Sequence, residues 1–138
     1  LLLDGAFMSM YDKVLEFRRK MELPISNTPR LLPADQVSYF SRFIMEELSE
    51  FLRANEEQNL VDASDALVDL VYVALDMSHS MGLPFDKMFD VVHNCNMQKE
   101  PASTYFRSLR GSQYDVVKPL GWERPEPQLE MILKEASK

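Results

Sequence analysis

Apolar residues recur at helical spacing along most of the chain, and no segment keeps the alternation of a strand. Met10, Val14, Phe17 and Met21 mark one face of a helix predicted from about Met8 to Met21, before Leu23-Pro24 ends it. Pro24 to Pro33 reads as a loop. Val37, Phe40, Ile44, Leu48 and Phe51 form the apolar face of a second helix from about Ala34 to Asn55, followed by the polar turn Asn55-Glu56-Glu57-Gln58-Asn59. A third helix is expected over Leu60 to Met81, because Gly82-Leu83-Pro84 supplies a C-terminal glycine and then a proline. A fourth runs from Phe85 or Asp86 to Lys99, limited by Pro101. Ser103 to Lys118 stays open between coil, short hairpin and helix, while Gln128 to Ala136 predicts a short final helix. The pattern is that of an all-α fold. One domain is expected over residues 1–138, with its core at about 8–100 and a C-terminal extension at about 101–138.

Composition narrows the picture. With 46% of its residues apolar, a chain of 138 residues can bury a core without disulfides or a structural metal. Cys95 is the only cysteine, which excludes an internal disulfide and a multi-cysteine zinc framework and points to a reducing, cytoplasmic setting. No apolar run approaches the roughly 20 residues of a membrane span. Leu1-Leu2-Leu3 is too short and lacks the basic flank of a signal peptide, so Leu1 to Ala6 carry no functional weight, with Met8 or Met10 as candidate starts. A net charge of −7 and no basic run argue against binding nucleic acid. An acidic protein that handles a polyanion needs divalent cations to bridge the like charges.

The carboxylates are arranged for that task. At 3.6 residues per turn, Glu46, Glu47 and Glu50 fall within an arc of about 100° on the second helix. Asp62, Asp65, Asp69, Tyr72 and Asp76 fall within about 80° on the third. A solvated face is the ordinary explanation of such a stripe. Two features oppose it: the third helix is apolar around most of its circumference, so it is expected to be buried, and no lysine or arginine on it relieves the repulsion. Carboxylates without histidine or thiolate suit hard ions, so Mg²⁺ is the expected cofactor and Mn²⁺ a possible substitute. The expected metal ligands are the pairs Glu47 with Glu50 and Asp62 with Asp65. No EF-hand loop and no Walker-type glycine loop is present.

The residues Glu46-Glu47-Leu48-Ser49-Glu50 and Asp62-Ala63-Ser64-Asp65, continued by Ala66 to Val73, resemble the MazG-like superfamily of all-α nucleoside triphosphate pyrophosphohydrolases, which carries E-E-x-x-E on one helix and E-x-x-D on the next. Asp62 stands where that superfamily usually has glutamate. The segment Val92-His93-Asn94-Cys95-Asn96-Met97-Gln98-Lys99 is similar to the V-H-x-S-N-M-x-K of the phosphoribosyl-ATP pyrophosphohydrolase-like group, with Cys95 in place of serine. The likeness covers about Phe17 to Trp122, with weaker echoes at Lys118 and Gly121-Trp122. It implies a four-helix core, a homodimer or dimer of dimers, and Mg²⁺-dependent hydrolysis of a nucleoside triphosphate to monophosphate and pyrophosphate, as in house-cleaning of nucleotide pools. It also implies site roles: Glu47, Glu50, Asp62 and Asp65 as metal ligands, Glu46 and Glu47 as catalytic, with Glu46 holding a second ion or orienting water, and Asp69, as a support of the cluster, with Tyr72 on the substrate side as binding residues. Asn96 and Lys99 would contact the nucleotide.

Other residues are read structurally. His79 and His93 have no hydroxyl or thiol partner at a motif spacing, Cys95 reads as a small hydrophobe, and Trp122 as a packing residue. Two alternatives stay open at this stage: hydrolysis of another nucleotide such as phosphoribosyl-ATP, and a non-enzymatic helical protein whose acidic face meets a basic partner.

Overall fold

A computed structural model of the chain describes residues 7–102 and 107–138. Five helices and one short ladder occur among them: α1 (Met10–Lys20), α2 (Ala34–Glu56), α3 (Leu60–Met81), α4 (Phe85–Asn96), β1 (Glu100–Pro101), β2 (Val116–Val117) and α5 (Glu126–Ala136). The fold is all-α, as its helical periodicity predicts. Contacts gather into two compact units, Leu1–Phe85 and Asp86–Lys138.

In the first unit each helix end has a local cause. Ser9 and Asp12 close a reciprocal capping box at the start of α1, and Arg18, Arg19 and Lys20 complement the dipole at its end. Asn59 caps α3 by accepting from the Asp62 amide. Gly82 ends that helix in the left-handed conformation, with φ of 65°, and a Cβ there would stand 2.4 Å from the Thr28 carbonyl oxygen. The close approach lets the loop before α2 bond to the last turn of α3, through Ser26 N–H to the His79 carbonyl and Arg30 N–H to that of Met81.

α3 packs along α2 and against α1. Val14, Phe40, Ala54, Ala63, Ala66, Val73 and Leu75 form the buried core of this unit. The expected apolar faces are only partly used: Val14 and Phe40 are buried, whereas Met10, Met21, Val37 and Leu48 are exposed. The expectation that α3 is buried nearly all round is also corrected. Leu60, Val61, Leu67 and Val68 are exposed, the first two at 79% and 77%, and Leu67 and Val68 line an apolar cleft of about 370 Å³ with Met10 and Val14 of α1.

A buried arginine is the main surprise. Arg18 is 3% exposed and bonds Asp76 at 2.6 Å, Ser80 at 2.8 Å and the Pro24 carbonyl through Nε at 3.1 Å. Asp76 therefore has its cation within the fold, supplied by α1 rather than by its own helix. Beside this node, His79 stacks on Tyr11 at 3.7 Å, and its Nε2 lies 2.8 Å from the Tyr11 carbonyl. Burial lowers the His79 pKa from its ordinary value, in keeping with a structural imidazole.

In the second unit α4 stops at Asn96, three residues before the expected Lys99. Turn bonds follow, including Lys99 N–H to the Asn96 carbonyl, and the chain enters an antiparallel ladder that pairs Glu100 with Val117 and Pro101 with Val116. The open segment Ser103 to Lys118 thus includes a strand, while its residues 103–106 lie outside the described residues, as do Leu1 to Ala6. The final helix starts at Glu126, two residues before the expected Gln128.

Candidate functional site

The packing of α2 against α3 puts the two acidic motifs on neighbouring elements. Two clefts lie along them. Glu50, Asp62 and Asp65 line one of about 170 Å³, with Arg53 and Glu57 at its side. Asp69, Tyr72 and Asp76 line another of about 200 Å³, whose remaining wall is largely aromatic, with Phe17, Tyr39, Phe40 and Phe43 beside Leu23 and Val73.

Glu47 is coupled to both. It is 8% exposed, and its Oε2 is buried without a hydrogen-bond partner. Burial pushes its carboxyl pKa above the ordinary value, and the charges of Asp69, Glu50, Glu46 and Asp65 push it further in the same direction. Two of these acids belong to the first cleft and one to the second, so Glu47 is the electrostatic junction of the site. A buried carboxylate surrounded by like charge and lacking a donor is costly unless a proton or a cation joins it.

The other candidate residues divide. Glu46 is exposed and Glu50 and Asp69 are half-buried. Asp62 lies at the exposed N-terminal turn of α3, where its Oδ2 accepts from Asn59 Nδ2 at 2.7 Å while its amide donates to Asn59 Oδ1. It is thus engaged in capping as well as lining the cleft. Tyr72 meets Phe17 edge-on at 5.6 Å, and burial raises its hydroxyl pKa, with Asp76 and Glu16 adding to the effect. Asn96 and Lys99 belong to the second unit. They are not one turn apart on a single helix, as the sequence predicts, because Asn96 is the last residue of α4.

Among the described residues no three acidic, histidine or cysteine side chains are disposed to hold a metal ion. One of the candidate ligands, Asp62, is turned to Asn59. The donor chemistry nonetheless fits a hard divalent cation: every candidate ligand is a carboxylate oxygen, and the most buried one has an oxygen with no other partner. Sequence reasoning missed Arg18 and the aromatic wall of Tyr39 and Phe43. Arg18 carries no motif, and its partners lie 6, 58 and 62 residues away.

No curated protein matches the chain. The family model described as phosphoribosyl-ATP pyrophosphohydrolase (PRA-PH) matches residues 14–96, more than half of the sequence, and so takes in both acidic motifs and the chain as far as Asn96, while Lys99 lies beyond it. The chain belongs to the PRA-PH family, nucleotide pyrophosphohydrolases of the MazG-like all-α superfamily.

Proposed function

We propose that the protein hydrolyses a ribo- or deoxyribonucleoside triphosphate to the monophosphate and pyrophosphate, using Mg²⁺ or, in substitution, Mn²⁺. The observation that carries this reading is Glu47, whose buried, unpartnered oxygen faces a field of like charge that only a proton or a cation relieves. Glu47, Glu50, Asp62 and Asp65 are the ligands assigned to the ion. When bound there, Mg²⁺ would neutralise phosphate charge and lower the pKa of a coordinated water. Glu46, exposed beside Glu47, is assigned to orienting the attacking water, as a positioned carboxylate can. Asp69 and Tyr72 present an acceptor and a ring to the substrate from the aromatic cleft. Asn96 and Lys99 are assigned to nucleotide binding, Lys99 as a mobile point charge for phosphate.

No helix among the described residues is long and apolar enough to cross a membrane, and a cytoplasmic setting suits the lone Cys95. The outward stripe of Leu60, Val61, Leu67 and Val68 supports a homodimer or a dimer of dimers, in which a second copy covers these side chains. The function is tested by screening nucleoside triphosphates and phosphoribosyl-ATP for released pyrophosphate with and without Mg²⁺. Metal-dependent release from a nucleoside triphosphate is expected, and Glu50→Gln and Asp65→Asn should each lower it by about 100-fold or more, the scale on which single catalytic groups act. Wild-type turnover in either variant at saturating Mg²⁺ would show that the assigned ligands are wrong.

A further inference from the structure

We propose that the second unit holds a polyphosphate clamp formed by Lys99 and Lys118, with Trp122 as its positioning residue. The ligand class rests on the pyrophosphohydrolase reading, whereas the location rests on the geometry of this unit alone. The ladder pairs Glu100 with Val117 and Pro101 with Val116, and the Ala102 amide bonds the Asp115 carbonyl, so the pairing is regular. Lys99 immediately precedes β1 and Lys118 immediately follows β2, so both flank the same end of the ladder. Like charges brought to one place repel.

Glu100, the neighbour of Lys99 in sequence, pairs with Arg107 at 3.5 Å. Among the described residues neither Lys99 nor Lys118 forms an ion pair. Instead both ammonium groups are gathered at one indole, at 5.2 Å and 4.8 Å from the Trp122 ring centroid. The ring attracts cations through its quadrupole but carries no charge, so a double positive charge is left for an anion.

Trp122 is fixed for this task. Its Nε1–H donates to the Cys95 carbonyl at 2.7 Å, one of the acceptors that the end of α4 leaves without an intrahelical partner. Its amide closes a turn on the Pro119 carbonyl, with Gly121 at φ of 79°, the left-handed position that such a turn reserves for glycine. The indole thereby links the end of α4 to the segment that follows β2. Two ammonium groups gathered at one indole suit the higher charge of a diphosphate or triphosphate better than that of orthophosphate.

Trp122 is the only tryptophan, so its emission reports the clamp directly. The full chain, in EDTA and at constant ionic strength, is titrated with inorganic pyrophosphate. A saturable change in emission is expected, with orthophosphate weaker. Lys99→Ala and Lys118→Gln should each weaken the midpoint by about tenfold or more, the loss expected for one charge-assisted contact. Lys118→Arg should restore binding, and Lys134→Gln, which removes a lysine already ion-paired with Glu130, should titrate as the wild type does. An equal response to sulfate, or an unchanged midpoint in Lys118→Gln, would overturn the clamp. Pyrophosphate binding without any nucleotide hydrolysis would instead leave the clamp standing and sink the enzymatic reading.

Discussion

Glu47 shows how a single side chain can set the pH response of the metal-free protein. Its folded pKa is raised above 4.5 by burial and then by its acidic neighbours. From that value upward the folded state therefore binds more protons than the unfolded chain, and stability falls as pH rises until the carboxyl has ionised in both states. Melting curves in EDTA from pH 4.5 to neutrality should show this decline, and Glu47→Gln should flatten it and raise the neutral-pH midpoint. Asp115 acts in the opposite direction. The Ser108 hydroxyl, the Val116 amide and Arg110 hold its pKa down at about 2, so its contribution is present above its ordinary value of 3.8 and is lost as pH falls through 2. Asp62 offers a separate test, since its bonds with Asn59 are independent of any ion. Asp62→Ala should cost about 0.5–1 kcal/mol in denaturant unfolding in EDTA, and more with Mg²⁺ present if it is also a ligand, whereas Asp62→Glu, which can still reach Asn59, should keep most of it. Arg18 is the residue most sensitive to mutation: Arg18→Met leaves the part-buried Asp76 without its cation and should destabilise the fold by about 2 kcal/mol or more, measured the same way.

At the scale of elements, legibility followed punctuation. The bounds of α3 agree with the sequence reading because Asn59 and Gly82-Leu83-Pro84 act on the backbone locally. α4 is shorter than expected because a helical pattern through Lys99 cannot reveal that the Asn96 carbonyl turns to the Lys99 amide and a strand follows. The acidic motifs of α2 and α3 were readable from spacing alone, but the engagement of Asp62 with Asn59 and the coupling of Glu47 to Asp69 depend on side-chain directions that spacing leaves open. The Arg18 node was invisible, since its partners come from a loop and from a helix far along the chain. Gly82 gives a test at this scale: Gly82→Ala would meet the Thr28 carbonyl and adopt an unfavourable φ, and a loss of about 2 kcal/mol or more is expected in urea unfolding, since clash adds to the usual left-handed cost of 1–2.

At the scale of the molecule, the outward stripe of α3 is the feature that an isolated chain explains least. Val68→Asp should convert a dimer to a monomer in sedimentation while leaving the helical content unchanged, since Val68 is exposed within one chain. If a second copy covers the stripe, folding and pairing become linked by mass action. The thermal midpoint then climbs with protein concentration and falls on dilution, and each tenfold change in abundance is worth about 1.4 kcal/mol of dimer. The amount of the protein in its compartment would then help decide how much of it is folded.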